Sequence, residues 1–288
     1  MLKSLNLSLY LLFGLALGFL APTYTSAEEA VAISKDGVKI VYSKHGKGEP
    51  ALIFVHGWSC ERSFWRKQIP YFEPDYTVVT LDLAGHGRSG QERDVYSMRA
   101  FGEDVAAVVE SIGAQQVILL GHSMGGPVII EAAEIIPDKV LALVGIDTFQ
   151  DFGEYYSEEE IAGFVQPFKE DFRTNTEGFV KDMLVKGTDP GLIAEVTAKM
   201  AGTSERTGVS AMTEMFKRSY AAEPPNIKAP VWAINADLWP TNADANQKFV
   251  PEFHLRLIHG TGHFLMLEAP DAFNTELGLV IKTILAEK

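Results

Sequence analysis

The chain has 288 residues, 47% of them hydrophobic and 22% charged, which suits one large α/β domain or one domain carrying an insertion. Its formal net charge of −13 disfavours nucleic acid as a partner and mildly favours neutral over anionic small molecules. Cys60 is the only cysteine, so no intramolecular disulfide forms, and no CxxC or HExxH spacing offers a metal site, so no metal is expected.

Lys3 is the only charged residue before Glu28, and Leu5–Ala21 is almost wholly apolar. A polar stretch follows, ending in Tyr24-Thr25-Ser26-Ala27. A short positive start, an apolar run and small residues before a cut describe a secretory signal peptide, residues 1–27, cleaved after Ala27. The mature chain is then periplasmic or secreted. The alternative is an uncleaved membrane anchor, for which the apolar run is at the short end of a span of about 20 residues. No later segment is apolar for long enough to insert stably in a membrane.

Val38–Ser43 reads as a strand, and Ala51–Val55 as a buried one ending at His56-Gly57. Tyr76–Leu83 repeats that pattern. Ser97–Ile112 has helical spacing, with Phe101, Val105, Val108 and Ile112 on one face and Ser97 as cap. Val117–Leu120 and Val140–Ile146 read as strands around a helix over Pro127–Ile136. Strands alternating with helices imply a mainly parallel sheet. After Asp147 the rhythm breaks into helical stretches near Glu158–Asp171, Glu177–Lys186, Gly191–Ala201 and Val209–Ala221. It resumes at Pro230–Ile234 and Phe253–Ile258, and a helix closes the chain after Glu268. The division expected is a core of residues 28–147 and 226–288, interrupted by a helical insertion over 148–225. That insertion of about 75 residues far exceeds an ordinary connection of about 4–6.

Gly121-His122-Ser123-Met124-Gly125-Gly126 follows one strand and opens a helix. This strand–turn–helix context is what a nucleophile elbow needs, because the turn lifts a Ser hydroxyl above the sheet edge. Ser123 is the expected nucleophile, and the Met124 backbone N–H faces the place where an oxyanion forms. A hydroxyl needs a base. Of the seven histidines, His263 lies in the loop Gly260-Thr261-Gly262-His263 just past the last strand, on the carboxyl edge where such sites assemble. His259 is the fallback, while His122 should point away from its neighbour and His254 belongs to the last strand. The Trp58 backbone N–H, after His56-Gly57, is the second oxyanion donor. Asp82 and Arg88 read as a local ion pair, and Cys60 as a plain small side chain.

These pieces, HGW at 56–58, DLAGHGRS at 82–89, GHSMGG at 121–126 and GTGH at 260–263, resemble the α/β-hydrolase superfamily in its chain order, over about residues 35–288. The resemblance implies a mostly parallel central sheet flanked by helices, a helical cap after the sixth strand, and an enzyme without cofactor. It argues against dehalogenases and epoxide hydrolases, which carry Asp where this chain has Ser123. The acid is the less clean member. Asp237, after the penultimate strand, is preferred because its strand precedes the one leading to His263, although it lacks the family's preceding Gly. Asp147, ending the strand before the cap, is the rival. Most aromatic and Met side chains of the insertion should pack it onto the core, and a few should line an apolar pocket.

The expected activity is hydrolysis of carboxylic esters, small to medium, neutral and partly apolar, through an acyl-enzyme. Lactonase, C–C bond hydrolase, perhydrolase and acyltransferase share the same set of residues. A ligand-binding protein on a hydrolase scaffold is the reading from another class. The sequence is silent on oligomeric state.

Overall fold

The structure, a computed structural model, describes residues 28–287, so the expected signal peptide lies outside the described residues. Eight strands form one sheet: β1 (Glu28–Ile33), β2 (Lys39–His45), β3 (Ala51–Val55), β4 (Thr77–Leu81), β5 (Val117–His122), β6 (Val140–Ile146), β7 (Val231–Ala236) and β8 (Phe253–Ile258). Their spatial order is β1-β2-β4-β3-β5-β6-β7-β8. β2 pairs antiparallel with β1 and β4, and every other pairing is parallel. This is the mostly parallel sheet of an α/β-hydrolase fold. β3 to β7 are buried along their whole length, which is why their sequences are apolar without alternation. β8 alternates because it is an edge. β1, the other edge, has no counterpart among the expected strands. Its apolar run is only four residues, Ala30 to Ile33, and Val31 and Ile33 stay exposed on it.

The helix Met98–Ser111 starts where expected, with the Ser97 hydroxyl accepting from Ala100 N–H at 3.2 Å, and it buries Phe101, Val105 and Val108. The helix after β5 spans Gly125–Ile135, opening earlier than Pro127 because the turn at Ser123 leads straight into it.

Between β6 and β7 lie four cap helices, Glu158–Glu170, Phe172–Asp182, Pro190–Met200 and Glu205–Lys217. Each begins at a polar cap: Ser157, Asp171, Asp189 and Ser204 all accept from a backbone N–H three residues on. The second helix therefore starts at Phe172 rather than near Glu177, since Asp171 both ends one helix and caps the next. Among the described residues no helix is long and apolar enough to cross a membrane.

Candidate active site

β5 delivers Gly121 and His122 to the carboxyl edge, and Ser123 turns the chain with φ +52°. A left-handed φ costs a non-glycine residue on the order of 1–3 kcal/mol, so it persists only where its surroundings over-determine it. Here Ser123 N–H donates to Ile146 O at 3.0 Å, and Gly126 N–H donates to Ser123 O at 2.8 Å. The flanking glycines are required by close approach. A Cβ at Gly121 would stand 2.2 Å from Gly125 O, and one at Gly125 would stand 2.7 Å from Val55 O.

Two expected donors belong to residues beside this turn: Met124 is next in the chain, and Trp58 lines a cavity together with Ser123. Met124 precedes the first turn of the Gly125–Ile135 helix, whose amide end favours negative charge. Trp58 lies in the loop after β3, the strand beside β5. Among the described residues neither the Trp58 nor the Met124 N–H donates to a protein acceptor. Both remain available to a developing oxyanion.

His263 sits in the loop between β8 and the short helix Leu265–Glu268 and is buried. Its Nδ1 lies 2.5 Å from Oδ2 of Asp147, also buried. A carboxylate only accepts, so Nδ1–H is the donor in this contact and Nε2 is left for the other side of the ring. Asp147 follows β6 directly with φ +45°. Its own N–H donates to Ile234 O at 3.0 Å, and its Oδ1 accepts from Ala236 N–H at 2.9 Å. The end of β7 thus aims this carboxylate.

The structure corrects the preference for Asp237 as the partner of His263. Asp237 Oδ2 lies 3.0 Å from Nδ1 of His259, and its Oδ1 accepts from Gly260 N–H at 2.9 Å. Those contacts, the Gly260 amide first, hold its carboxyl below the ordinary range, and both side chains are exposed. The reason is register. Ala236 pairs with Ile258, so the next residue along, Asp237, meets His259 at the outer edge. His263 instead returns toward Ser123, and between β5 and β7 the strand passed over is β6.

The remaining histidines are structural. His122 Nε2–H donates to His263 O at 2.9 Å, and burial with the nearby His263 holds His122 well below the ordinary histidine range. It is neutral and fastens the base loop rather than accepting a proton. His56 Nδ1–H donates to Gly57 O at 2.8 Å while its Nε2 accepts from Leu83 N–H at 3.0 Å. Burial lowers His56, and His86 is pushed down to about 3 by the same cause. His254 stacks on Trp232 with ring centroids 4.3 Å apart. The expected ion pair of Asp82 with Arg88 is corrected too. Asp82 pairs with the Arg62 guanidinium at 3.0 Å and takes only the backbone N–H of Arg88, whose side chain reaches Glu29. Burial pushes the Cys60 thiol up, which leaves it unreactive.

Two cavities meet at Ser123 and His263. The smaller, about 170 Å³, is closed and apolar, with Phe179, Met183, Met200, Met212 and Met215 from the cap among its walls. The larger, about 610 Å³, is open and carries polar groups including Thr148, Gln150, Asp151 and Glu154. Trp239 lines both and stands edge-on to the His263 ring at 5.3 Å. Sequence reasoning missed Trp239; its one signal was a Trp-Pro pair in the loop after β7. Among the described residues no group of three His, Cys, Asp or Glu is placed to hold a metal ion.

Comparison with known proteins gives the family. The family described as alpha/beta hydrolase fold matches residues 50–270. The 3-oxoadipate enol-lactonase 2 of Acinetobacter baylyi is 25% identical over 264 residues, covering 87% of this chain and 96% of that protein. The bifunctional esterase/perhydrolase DCH of Acinetobacter calcoaceticus is 42% identical over 95 residues, 32% of this chain and 34% of that one. A thermophilic esterase from Thermogutta terrifontis has the same fold, with a TM-score of 0.78 at 19% identity, covering 90% and 99% of the two chains. A hydrolase activity on small molecules fits these relatives, and the chain belongs to the alpha/beta hydrolase fold family.

Proposed function

We propose that this protein is a serine hydrolase of carboxylic esters, working through an acyl-enzyme, with Ser123 as nucleophile, His263 as base and Asp147 as acid. The observation that carries the reading is the buried Asp147–His263 pair, whose His263 lines the same two cavities as Ser123. His263 Nε2 takes the Ser123 proton as Oγ attacks the ester carbonyl. The Trp58 and Met124 amides hold the oxyanion, and His263 returns the proton to the leaving alcohol. Water then repeats the sequence on the acyl-enzyme. Asp147 keeps the imidazole in the required tautomer and stabilises the imidazolium.

The two compartments suit the two halves of an ester. A cavity of about 170 Å³ takes a short apolar acyl chain, and the open one of about 610 Å³ takes a larger neutral leaving group. Lactone opening is the same chemistry on a cyclic ester. It is the second reading, because the relative similar along almost its full length is a lactonase. On the sequence of residues 1–27, the working form is exported and lacks them.

The test is labelling by a fluorophosphonate together with turnover of short-chain esters and lactones. Both should occur in the native enzyme. Ser123→Ala should abolish labelling and lower turnover by about 10⁴ or more. Undiminished turnover in that variant removes the mechanism.

A further inference from the structure

We infer that the helical cap sets the catalytic geometry itself, by tying down the oxyanion loop and the base loop through hydrogen bonds; this rests on the serine-hydrolase reading above. The Trp58 side chain does not merely fill space. Its indole Nε1–H donates to Gly208 O at 2.7 Å, inside the cap helix Glu205–Lys217. A carbonyl has two lone pairs, so it accepts the indole beside its place in the helix. Phe168, Phe172 and Phe179, all from the cap, surround the same ring with centroids 5.5, 5.7 and 5.9 Å away. A Cβ at position 208 would lie 2.3 Å from the ring of Phe172, one of the residues around the indole, so Gly208 lets that ring pack against this helix. The residue whose backbone N–H is the oxyanion donor is therefore held at its other end by the cap.

The base loop is held independently. His263 N–H donates to Met183 O at 2.8 Å, in the cap segment between two helices. A Cβ at Gly262 would stand 2.6 Å from the same carbonyl. The Thr188 hydroxyl shares its one proton between Glu268 Oε2 and Val185 O, each 2.9 Å away, and the Glu268 carboxylate also accepts from Gly262 N–H at 3.2 Å and, through Oε1, from Phe264 N–H at 3.2 Å. Glu268 thus links the cap to the residues on both sides of His263. Ser123 and Asp147 have their braces within the sheet, at Ile146, Ile234 and Ala236. Trp58 and His263 are tied to the cap as well, His263 in addition to its contacts with Asp147 and His122, so a shift of the cap pulls on these two and not on Ser123. Misplacement of reacting groups by about 1 Å costs on the order of 10²-fold in rate. Trp58 and Thr188 are accordingly positioning residues, acting through the Trp58 amide and through His263.

The experiment compares Trp58→Phe, which keeps an aromatic ring and the backbone N–H but deletes the indole donor, with Thr188→Val, which cuts the Glu268 link. Each variant is assayed for kcat and KM on one short-chain ester, for inhibition by a boronic acid that mimics the tetrahedral intermediate, and for thermal midpoint. For Trp58→Phe, kcat and boronate affinity should fall together by about 10- to 100-fold with KM within about threefold. Thr188→Val should move both in the same direction by about three- to tenfold. Unchanged kcat and boronate affinity in both variants, whatever happens to the thermal midpoint, overturns the inference and leaves the cap a packing element. If Trp58→Phe does not fold, Thr188→Val decides alone. Absence of ester turnover and of fluorophosphonate labelling in the native enzyme would instead mark failure of the functional reading.

Discussion

Replacing Asp147 by Asn tests the assignment of the acid most sharply. Asn tolerates the left-handed φ of +45° at this position. Its Oδ1 still accepts from Ala236 N–H, now 2.9 Å away, so the local fold should survive. Its amide N–H then faces the His263 Nδ1, which lies 2.5 Å from Oδ2 in the native protein. Nδ1 must accept, the ring proton moves to Nε2, and the nitrogen meant to deprotonate Ser123 becomes a donor. The imidazolium also loses a buried ionic partner. The expected loss in kcat is about 10³–10⁴-fold, equivalent to about 4–5.5 kcal/mol of transition-state stabilisation. Asp237→Asn removes only an exposed contact with His259 and should change kcat by less than about threefold. Steady-state hydrolysis of a short-chain ester is the assay, with circular dichroism to confirm folding. If Asp237→Asn proves crippling while Asp147→Asn stays within about tenfold of native, the assignment is wrong.

Two further outcomes are expected. His86, pushed down to about 3, and His56 and His122, also lowered, are kept neutral chiefly by burial. The unfolded chain takes up protons below about pH 6.5 that the folded protein refuses, so the stability these groups contribute is full above that pH and declines as pH falls below it. Denaturant midpoints measured at pH 7.5 and pH 5 should show a clear drop, and equal midpoints would contradict the buried neutral histidines. Export should remove residues 1–27, so N-terminal sequencing of the exported protein should read from Glu28; an intact Met1 in a membrane fraction means an anchor instead.

Much of this molecule was legible because its signals are local. Continuous apolar runs marked β3 and β6 to the residue, since parallel strands covered on both faces need apolar side chains throughout. The four cap helices appeared in order, but the second starts at Phe172 rather than Glu177 and the fourth at Glu205 rather than Val209, where Asp171 and Ser204 supply the caps. Ser123 stood out because a strained turn between strand and helix demands glycines at fixed neighbouring positions. His263 stood out because a glycine-bearing loop after the last parallel strand opens on the carboxyl edge.

The carboxylate partner of His263 was not local. The argument for Asp237 used a true premise, that β7 and β8 are neighbours, but neighbourhood alone does not say which residue of a loop faces which. The pairing of Ala236 with Ile258 delivered Asp237 to His259, and the return of the base loop toward β5 brought His263 over β6, to Asp147. Register and strand order are properties of the assembled sheet, and no residue or spacing in the chain states them. The ties from the cap to Trp58 and His263 are of the same kind. They join residues 150 and 80 positions apart in sequence, at Gly208 O and Met183 O, and exist only once the cap has packed onto the edge where the elbow opens.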